Sequence, residues 1–183
     1  MASPQPAIAN LKKPVVLVGL MGAGKSTIGR RLAHALGLQF IDSDQEIVEA
    51  AGCSISDIFE IYGEAIFRDV EQRVLLRLVG GEPCVIATGG GAFMNPAIRV
   101  AIKEKAISIW LKAELNVLVE RVSRRDTRPL LKAGDKGAIL QKLMDDRYPL
   151  YGEADITIDS NAGLHDMVVE RVLKALKDTL ANG

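Results

Sequence analysis

The chain of 183 residues has an ordinary globular composition, with 48% apolar and 25% charged residues, which sets it apart from disordered proteins. Its 23 basic side chains balance 23 acidic ones, so no overall basic field favours nucleic acid or an anionic membrane. The longest uncharged stretch, 83–98, contains three glycines and two prolines and is shorter than the ~20 apolar residues of a spanning helix. We therefore expect a protein that binds neither nucleic acid nor membrane.

Residues 1–13 lack the apolar core of a signal peptide. The chain has two cysteines, Cys53 and Cys84, too few for a disulfide framework or a metal cluster, and both are expected in the core together with Trp110. These features predict a cytoplasmic protein. Residues 1–10 are expected to form a disordered tail ahead of a single domain at 11–183.

From Pro14 onward, short runs rich in valine and isoleucine alternate with longer helical stretches. The predicted strands, expected to be buried on both faces, are Val15–Val18, Gln39–Asp42, Cys84–Thr88, Ala106–Leu111 and Asp155–Ile158. The predicted helices are Lys25–Leu36, Asp44–Ala51, Ser56–Val79, Pro96–Glu104, Glu114–Arg125, Gly137–Tyr148 and Leu164–Leu180. This alternation predicts an α/β fold with a parallel sheet covered on both sides.

Local signals refine three of the helices. Gly37 is placed to end the first helix in a left-handed conformation. Ser43 and Glu46 have the spacing of a capping box at the start of the second helix. The stretch 56–79 is predicted to turn one apolar face to the core, formed by Ile58, Phe59, Tyr62, Ile66 and Val70.

The strongest motif, at 19–27, reads Gly-Leu-Met-Gly-Ala-Gly-Lys-Ser-Thr and lies between the first strand and the first helix. Its glycines allow backbone N–H groups to converge on one point beside the helix N-terminus, which favours phosphate. Lys25 can reach the β- and γ-phosphates, and the Ser26 hydroxyl can ligate Mg²⁺. The predicted nucleotide-binding residues of this loop are Gly22, Ala23, Gly24, Lys25, Ser26 and Thr27. The chain lacks the Asn/Thr-Lys-x-Asp base reader of a GTPase and is short for a motor protein, so a small-molecule kinase is favoured.

Asp42 and Asp44 follow the second strand, at the carboxyl edge of the sheet where ligands bind. Asp42 can join a Mg²⁺ shell through water, and Asp44 can accept a hydrogen bond from the hydroxyl that is phosphorylated. Alternatively, the two aspartates merely cap the following helix.

The Thr88-Gly89-Gly90-Gly91 turn follows the third strand, and its bare backbone can approach a ligand closely. A tight turn without a ligand is the alternative. Arg68 and Arg147 can bind a carboxylate through two-point contacts, although a lone arginine is more often a solvated surface residue. Several arginines, Arg128 among them, lie in a segment whose charge, proline and glycines suit a mobile lid.

Together these motifs resemble those of shikimate kinases. The resemblance comprises the glycine-rich loop, the Asp42-Ser43-Asp44 pair, Phe67-Arg68, the triple glycine, Arg128-Pro129-Leu130-Leu131 and Arg147-Tyr148. The order and spacing match from Pro14 to about Ser160. Each motif alone is shared more widely, but the combination is specific.

The resemblance implies a three-layer α/β/α fold with a five-stranded parallel sheet and a mobile lid, as in P-loop kinases. It implies a substrate-binding region at about 42–70 and a lid at about 122–134. The implied reaction transfers the γ-phosphoryl group of ATP to the 3-hydroxyl of shikimate, a step of aromatic amino-acid biosynthesis through chorismate. The implied partners are shikimate and ATP, and the protein is expected to be a monomer.

The resemblance also assigns roles to individual residues. Lys25, Asp44 and Arg128 would be catalytic, with Asp44 as the base or orienting group. Arg121 and Arg128 would contact the nucleotide, Arg121 at the adenine. Shikimate would be held by Asp44, Arg68, Gly89, Gly90, Gly91 and Arg147. Mg²⁺ would lie on Ser26, with Asp42 in its outer shell. A kinase for gluconate or a similar sugar acid, and a catalytically silent nucleotide-binding relative, are the competing interpretations.

Overall fold

The computed structural model describes residues 8, 11–124, 134–161 and 163–182. The strands are β1 (Val15–Val18), β2 (Gln39–Asp42), β3 (Cys84–Ala87), β4 (Ile107–Lys112) and β5 (Ile156–Asp159). The helices are α1 (Lys25–Leu36), α2 (Ser43–Ala51), α3 (Ile55–Asp57), α4 (Gly63–Val79), α5 (Pro96–Lys105), α6 (Leu115–Ser123), α7 (Lys136–Tyr151) and α8 (His165–Ala181). A π-helical turn, Ile58–Tyr62, precedes α4, and a 3₁₀ turn, Ala92–Met94, precedes α5.

The five strands form one parallel sheet in the order β2-β3-β1-β4-β5, flanked by helices. Strands β1 and β3 are buried at every position, and β4 is buried at all but its last residue. Strands of this kind need helices on both faces, so the predicted three-layer α/β architecture is confirmed. The expectation of burial on both faces is wrong for the edge strands, because β2 is partly exposed and β5 alternates between buried and exposed residues.

The predicted helix 56–79 is interrupted. Gly63 has a φ of 82°, outside the helical region, and the preceding residues form the π-helical turn. The predicted apolar face is therefore wrong for three of its five residues, because Phe59, Tyr62 and Ile66 are exposed. It holds for Ile58 and Val70. The wider π-helical turn shifts the register of the side chains, so a period of 3.6 residues does not hold across the interruption.

The start of α2 differs from the predicted capping box. Asp42, not Ser43, is the N-cap residue, and its carboxylate accepts a hydrogen bond from the Asp44 N–H at 3.0 Å. Ser43 is fully buried within the first turn. At the C-terminus of α1, Gly37 adopts the expected left-handed conformation with a φ of 67°.

Helix α7 continues past the expected end at Tyr148, through Pro149, to Tyr151. This extension brings Tyr151 one turn beyond Arg147, on the same side of the helix. Leu140 and Tyr151 are the buried residues of α7. The position of Tyr151 depends on this last turn of α7.

The carboxyl ends of parallel strands lie at one edge of the sheet, and the loops that follow them share that edge. The central strand β1 is hydrogen-bonded to β3 on one side and β4 on the other. The loop at 19–24, Asp42 and Thr88 follow β1, β2 and β3 respectively. These segments therefore meet where the chain crosses over from one half of the sheet to the other, the usual position of a ligand crevice.

Two of the expected segments lie mainly outside the described residues. Of the predicted tail at 1–10, the structure describes only Ile8, which is buried with Leu11 against the core. Of the predicted lid at 122–134, residues 125–133, Arg128 among them, are outside the described part of the chain. Among the described helices, none is long and apolar enough to cross a membrane.

Substitution of Gly29 by alanine tests the packing of α1 on the sheet. A methyl group there would lie 2.5 Å from a ring carbon of Phe40 and 3.2 Å from Leu17. We expect Gly29→Ala to lower the free energy of unfolding by ~1–3 kcal/mol, although alanine normally favours a helix over glycine. Urea unfolding measures the change. In a Phe40→Leu background the loss should shrink; an equal loss in both backgrounds would contradict this packing.

Candidate active site

The glycine-rich loop at 19–24 curls into a cradle at the N-terminus of α1. Gly19, Gly22 and Gly24 have φ values of 145°, 83° and 97°, which other residues rarely adopt. The Lys25 ammonium donates hydrogen bonds to the carbonyl oxygens of Gly19, at 2.6 Å, and Leu20, at 3.0 Å. Its charge is thereby held over the loop, where a polyphosphate would be bound.

A cavity of about 450 Å³ opens in front of this cradle. It gathers residues from the carboxyl ends of β1, β2 and β3 and from helices α6 and α8. Of the residues predicted from sequence, those lining it are Gly22, Ala23, Gly24, Lys25, Ser26, Thr27, Asp42, Asp44, Gly89, Gly90 and Arg121. The cavity therefore joins the phosphate cradle to Asp44, Gly89 and Gly90, whereas the predicted acceptor residues Arg68, Gly91 and Arg147 are not among its lining residues.

Ser26 and Asp42 lie together on the floor of the cavity. The Ser26 hydroxyl donates to Asp42 Oδ2 at 3.3 Å, while the other carboxylate oxygen of Asp42 caps α2. Asp42 thus caps α2, one of the two roles that its position in the sequence left open, and its place in a Mg²⁺ shell stays a prediction. The pair fits a Mg²⁺ ion, which is usually held by one or two protein oxygens together with phosphate oxygens and water. No cluster of three or more His, Cys, Asp or Glu side chains suited to a metal occurs among the described residues.

The triple-glycine turn is required for space rather than for backbone conformation. None of Gly89, Gly90 and Gly91 has a positive φ. A Cβ atom at Gly89 would lie 3.0 Å from Asp44 Oδ1, one at Gly90 would lie 3.0 Å from Arg147 Nη1, and one at Gly91 would lie 2.7 Å from Arg68 Nη1. Each glycine therefore leaves room for one of the charged side chains assigned to the acceptor.

This turn thereby brings together the three polar side chains that sequence analysis singled out from different elements. Asp44 comes from α2, Arg68 from α4 and Arg147 from α7. Of these three side chains, two are positively charged and one is negatively charged. Such a set matches an acceptor that carries both a carboxylate and a hydroxyl group.

Glu71 is a site residue that sequence analysis missed. It is 2% exposed and accepts a hydrogen bond from Arg68 Nη1 at 2.7 Å. Burial raises the pKa of the Glu71 carboxyl, the charge of nearby Asp44 acts in the same direction, and Arg68 and Arg147 oppose the shift. The spacing of Arg68 and Glu71, three residues apart on one helix, was the available signal.

Arg68 is anchored by carboxylates on its own helix. Besides Glu71, it contacts the exposed Glu64 at 3.4 Å. Burying the Glu71 carboxylate against the Arg68 guanidinium costs desolvation free energy, but it fixes the direction in which the guanidinium points. Arg68 therefore reaches Gly91 in a defined orientation.

Arg121 lies at the opposite end of the cavity. Its guanidinium donates to the carbonyl oxygen of Gly22, at 3.3 Å, and to that of Ser160, at 2.5 Å. Burial lowers the pKa of Arg121. These bonds tie α6 to the phosphate cradle and to the loop after β5, where Gly163 and His165 also line the cavity. The nucleotide contact that the resemblance implies for Arg121 stays a prediction.

Comparisons with known proteins agree with this geometry. The family model described as shikimate kinase matches residues 21–177. A curated shikimate kinase of Rhodopseudomonas palustris is 55% identical over 168 residues, which cover 92% of this chain and 83% of the relative. The chain belongs to the shikimate kinase family. The resemblance, the enzyme class and the function predicted from the sequence are thereby confirmed.

Solved structures of this family show the same fold. The shikimate kinase of Acinetobacter baumannii, solved in complex with shikimate, has a TM-score of 0.88 and 38% identity, and the match covers 94% of this chain and 97% of that one. A gluconokinase of Sinorhizobium meliloti has a TM-score of 0.64 at 19% identity, with 93% of this chain and 95% of that one covered. This second likeness concerns the fold alone, so it lends no support to the sugar-acid alternative.

Substitution of Gly91 by alanine tests the need for space at the turn. The added methyl group would displace the Arg68 guanidinium, so we expect the KM for shikimate to rise by about tenfold or more, the value of one charge-assisted contact. The KM for ATP should change less than twofold. Steady-state kinetics measure both.

Gly81→Ala is the matched control, because a methyl group there makes only an ordinary contact with a backbone oxygen, at 3.4 Å. It should leave both KM values unchanged. An unaltered KM for shikimate in folded Gly91→Ala would contradict the contact between Arg68 and the turn.

Proposed function

We propose that the protein transfers the γ-phosphoryl group of ATP to the 3-hydroxyl of shikimate, using the residues around the cradle and the triple-glycine turn. The observation that carries the proposal is the convergence of Asp44, Arg68 and Arg147 on Gly89–Gly91 beside a phosphate cradle. A phosphate-binding loop alone would serve many reactions. The additional carboxylate and arginines select an acceptor that is both an acid and an alcohol.

The nucleotide would lie along the cavity from Arg121 to Lys25. Backbone N–H groups at 22–27 and the N-terminus of α1 would hold its phosphates, and Arg121 would contact its base. Ser26 would coordinate Mg²⁺ directly and Asp42 through water; the ion would neutralise the β- and γ-phosphate oxygens. The 3.3 Å contact between Ser26 and Asp42 supports this assignment.

The acceptor would bind at the triple-glycine turn. Arg68 and Arg147 would pair with its carboxylate from two sides, as expected for planar forked donors. The backbone of Gly89, Gly90 and Gly91 and the Asp44 carboxylate would contact its ring hydroxyls. The predicted substrate-binding region at 42–70 supplies Asp44 and Arg68 to this set.

The transfer itself forms a bond between the 3-oxygen and the γ-phosphorus and breaks the bond from that phosphorus to the bridging oxygen of ADP. Asp44 would orient the hydroxyl and accept its proton as the new bond forms. Lys25 would stabilise the charge on the transferring group. Arg128, which sequence analysis places in the lid at 122–134, would add a second cation when the lid closes.

Two further assignments accompany the proposal. The protein is proposed to be a monomer: one chain supplies all the residues assigned to both substrates, so the reaction requires no second copy. It works in the cytoplasm, where the thiols of Cys53 and Cys84, both unpaired, would remain reduced.

A coupled assay of ADP release tests the function directly. We expect turnover with shikimate and MgATP, and none above background with gluconate or with nucleoside monophosphates. The position of the new phosphate is read by ³¹P–¹H NMR of the product. Turnover with gluconate but not shikimate would replace the proposal with the sugar-acid alternative.

Replacement of Asp44 by asparagine tests the proposed base. The amide keeps the shape and leaves the backbone N–H bonded to Asp42, but it cannot take up a proton. We expect kcat to fall by ~10²–10⁴, the usual contribution of a positioned base, while the Kd for ATP changes little.

Asp69→Asn makes the same change of charge on α4 at a half-exposed side chain paired with Arg73, and kcat should remain at the wild-type value. A normal kcat for Asp44→Asn, or a loss confined to ATP binding, would remove Asp44 from the chemical step.

A further inference from the structure

Tyr151 is a fully buried residue beside the acceptor end of the site. Its ring packs against those of Trp110, Tyr148 and Phe93, with centroids 5.8, 6.1 and 6.3 Å away. Phenylalanine would fill this apolar space equally well. The hydroxyl group therefore needs a separate explanation, because a buried hydroxyl without partners is costly.

The Tyr151 hydroxyl lies between two groups of the acceptor pocket. It donates a hydrogen bond to the Gly90 carbonyl oxygen at 2.5 Å, and the charge of the Arg147 guanidinium acts on the same hydroxyl. A Cβ atom at Gly90 would lie 3.0 Å from Arg147 Nη1 and 3.7 Å from the Tyr151 oxygen. The three groups thus meet on one side of the turn.

The direction of the bond between Tyr151 and Gly90 is fixed by chemistry. A carbonyl only accepts, whereas a hydroxyl can both donate and accept. The Tyr151 proton therefore lies toward Gly90, and the lone pairs of the hydroxyl remain for the positive field of Arg147. Burial raises the pKa of Tyr151 to about 12, against the opposing influence of Arg147, so the hydroxyl keeps the proton that it donates.

We propose that Tyr151 is a positioning residue of the acceptor pocket, whose hydroxyl fixes the Gly90 backbone against the Arg147 guanidinium and so sets the relative position of the two. This inference rests on the proposed function, in which Arg147 binds the carboxylate and Gly90 a ring hydroxyl. Those two contacts would bind different groups of one rigid acceptor. Their relative position decides whether both form at once.

Among the described residues, Arg147 forms no ion pair. Arg68, in contrast, is anchored by Glu71. Since no carboxylate pairs directly with Arg147 in the described part of the chain, its charge remains available for the carboxylate of the acceptor. The loss of the hydroxyl should therefore weaken acceptor binding rather than nucleotide binding.

Tyr151→Phe tests the proposal, and Tyr148→Phe is its matched control. Tyr148 belongs to the same aromatic cluster, but its hydroxyl donates to the Ala113 carbonyl, away from the turn. We expect Tyr151→Phe to raise the KM and Kd for shikimate by about tenfold, with kcat within threefold and the KM for ATP within twofold of wild type. Tyr148→Phe should leave all of them within twofold.

A double-mutant cycle separates positioning from packing. If Tyr151 acts through Arg147, Tyr151→Phe should weaken shikimate binding less than twofold further in an Arg147→Ala background. Shikimate methyl ester lacks the charged carboxylate. Its binding should likewise weaken less than twofold when Tyr151→Phe is introduced into the wild-type enzyme. Independent, additive losses would overturn the proposal, as would equal effects of Tyr151→Phe and Tyr148→Phe.

Shikimate binding can be measured even if Tyr151→Phe is less stable. The fluorescence of Trp110, the one tryptophan of the chain, and the rise in melting temperature on adding shikimate both need only a folded fraction. If shikimate raised the melting temperature of Tyr151→Phe as much as that of the wild type, the proposal would be overturned. If the wild-type enzyme neither binds nor phosphorylates shikimate, the proposed function fails and this inference falls with it. An active wild type with an unaffected Tyr151→Phe overturns the inference alone.

Discussion

The acceptor end of this enzyme depends on three successive positions without a Cβ atom. Asp44, Arg68 and Arg147 approach Gly89, Gly91 and Gly90, respectively, to distances that a methyl group would block. The backbone there does not need glycine for its conformation, unlike the phosphate cradle, where every glycine has a positive φ. Glycine therefore has two physical uses in this site: left-handed backbone where phosphate is bound, and empty space where charged side chains converge.

The two arginines at this turn are held in different ways. Arg68 is paired with a buried carboxylate, so part of its charge is already balanced before an acceptor arrives. Arg147 forms no ion pair among the described residues and lies against Gly90, whose carbonyl oxygen is held by the neutral Tyr151 hydroxyl. Because an ion pair inside a protein is costly to desolvate, the pairing of Arg68 with Glu71 contributes orientation more than attraction. In the proposed function, Arg147 would therefore supply the stronger field for an incoming carboxylate.

Much of this fold could be predicted from sequence, since its central strands are short apolar runs and its first helix begins at a glycine-rich loop. The shikimate kinase family was also identifiable from motifs, as the comparisons confirm. The break at Gly63 could not be predicted from a 3.6-residue period, because one φ of 82° changes the register of the residues before it. Asp42 displaced Ser43 as the helix cap because one carboxylate can serve both the backbone of α2 and Ser26.

Glu71 and Tyr151 were missed for a related reason: their importance lies in what they contact across the fold. In the sequence, Glu71 is one of several acidic residues on a helix, and Tyr151 lies three residues beyond Tyr148, where the helix was expected to end. The spacing of three residues on α4 places the Glu71 carboxylate beside Arg68, but only the packing of α4 and α7 around the turn at 89–91 brings that pair to the turn and the Tyr151 hydroxyl to Gly90. Motifs identify the groups that touch substrates because ligand chemistry restricts residue type and spacing. The residues that orient those groups are restricted only by three-dimensional contact, and helix spacing of three or four residues is the sole trace they leave in the sequence.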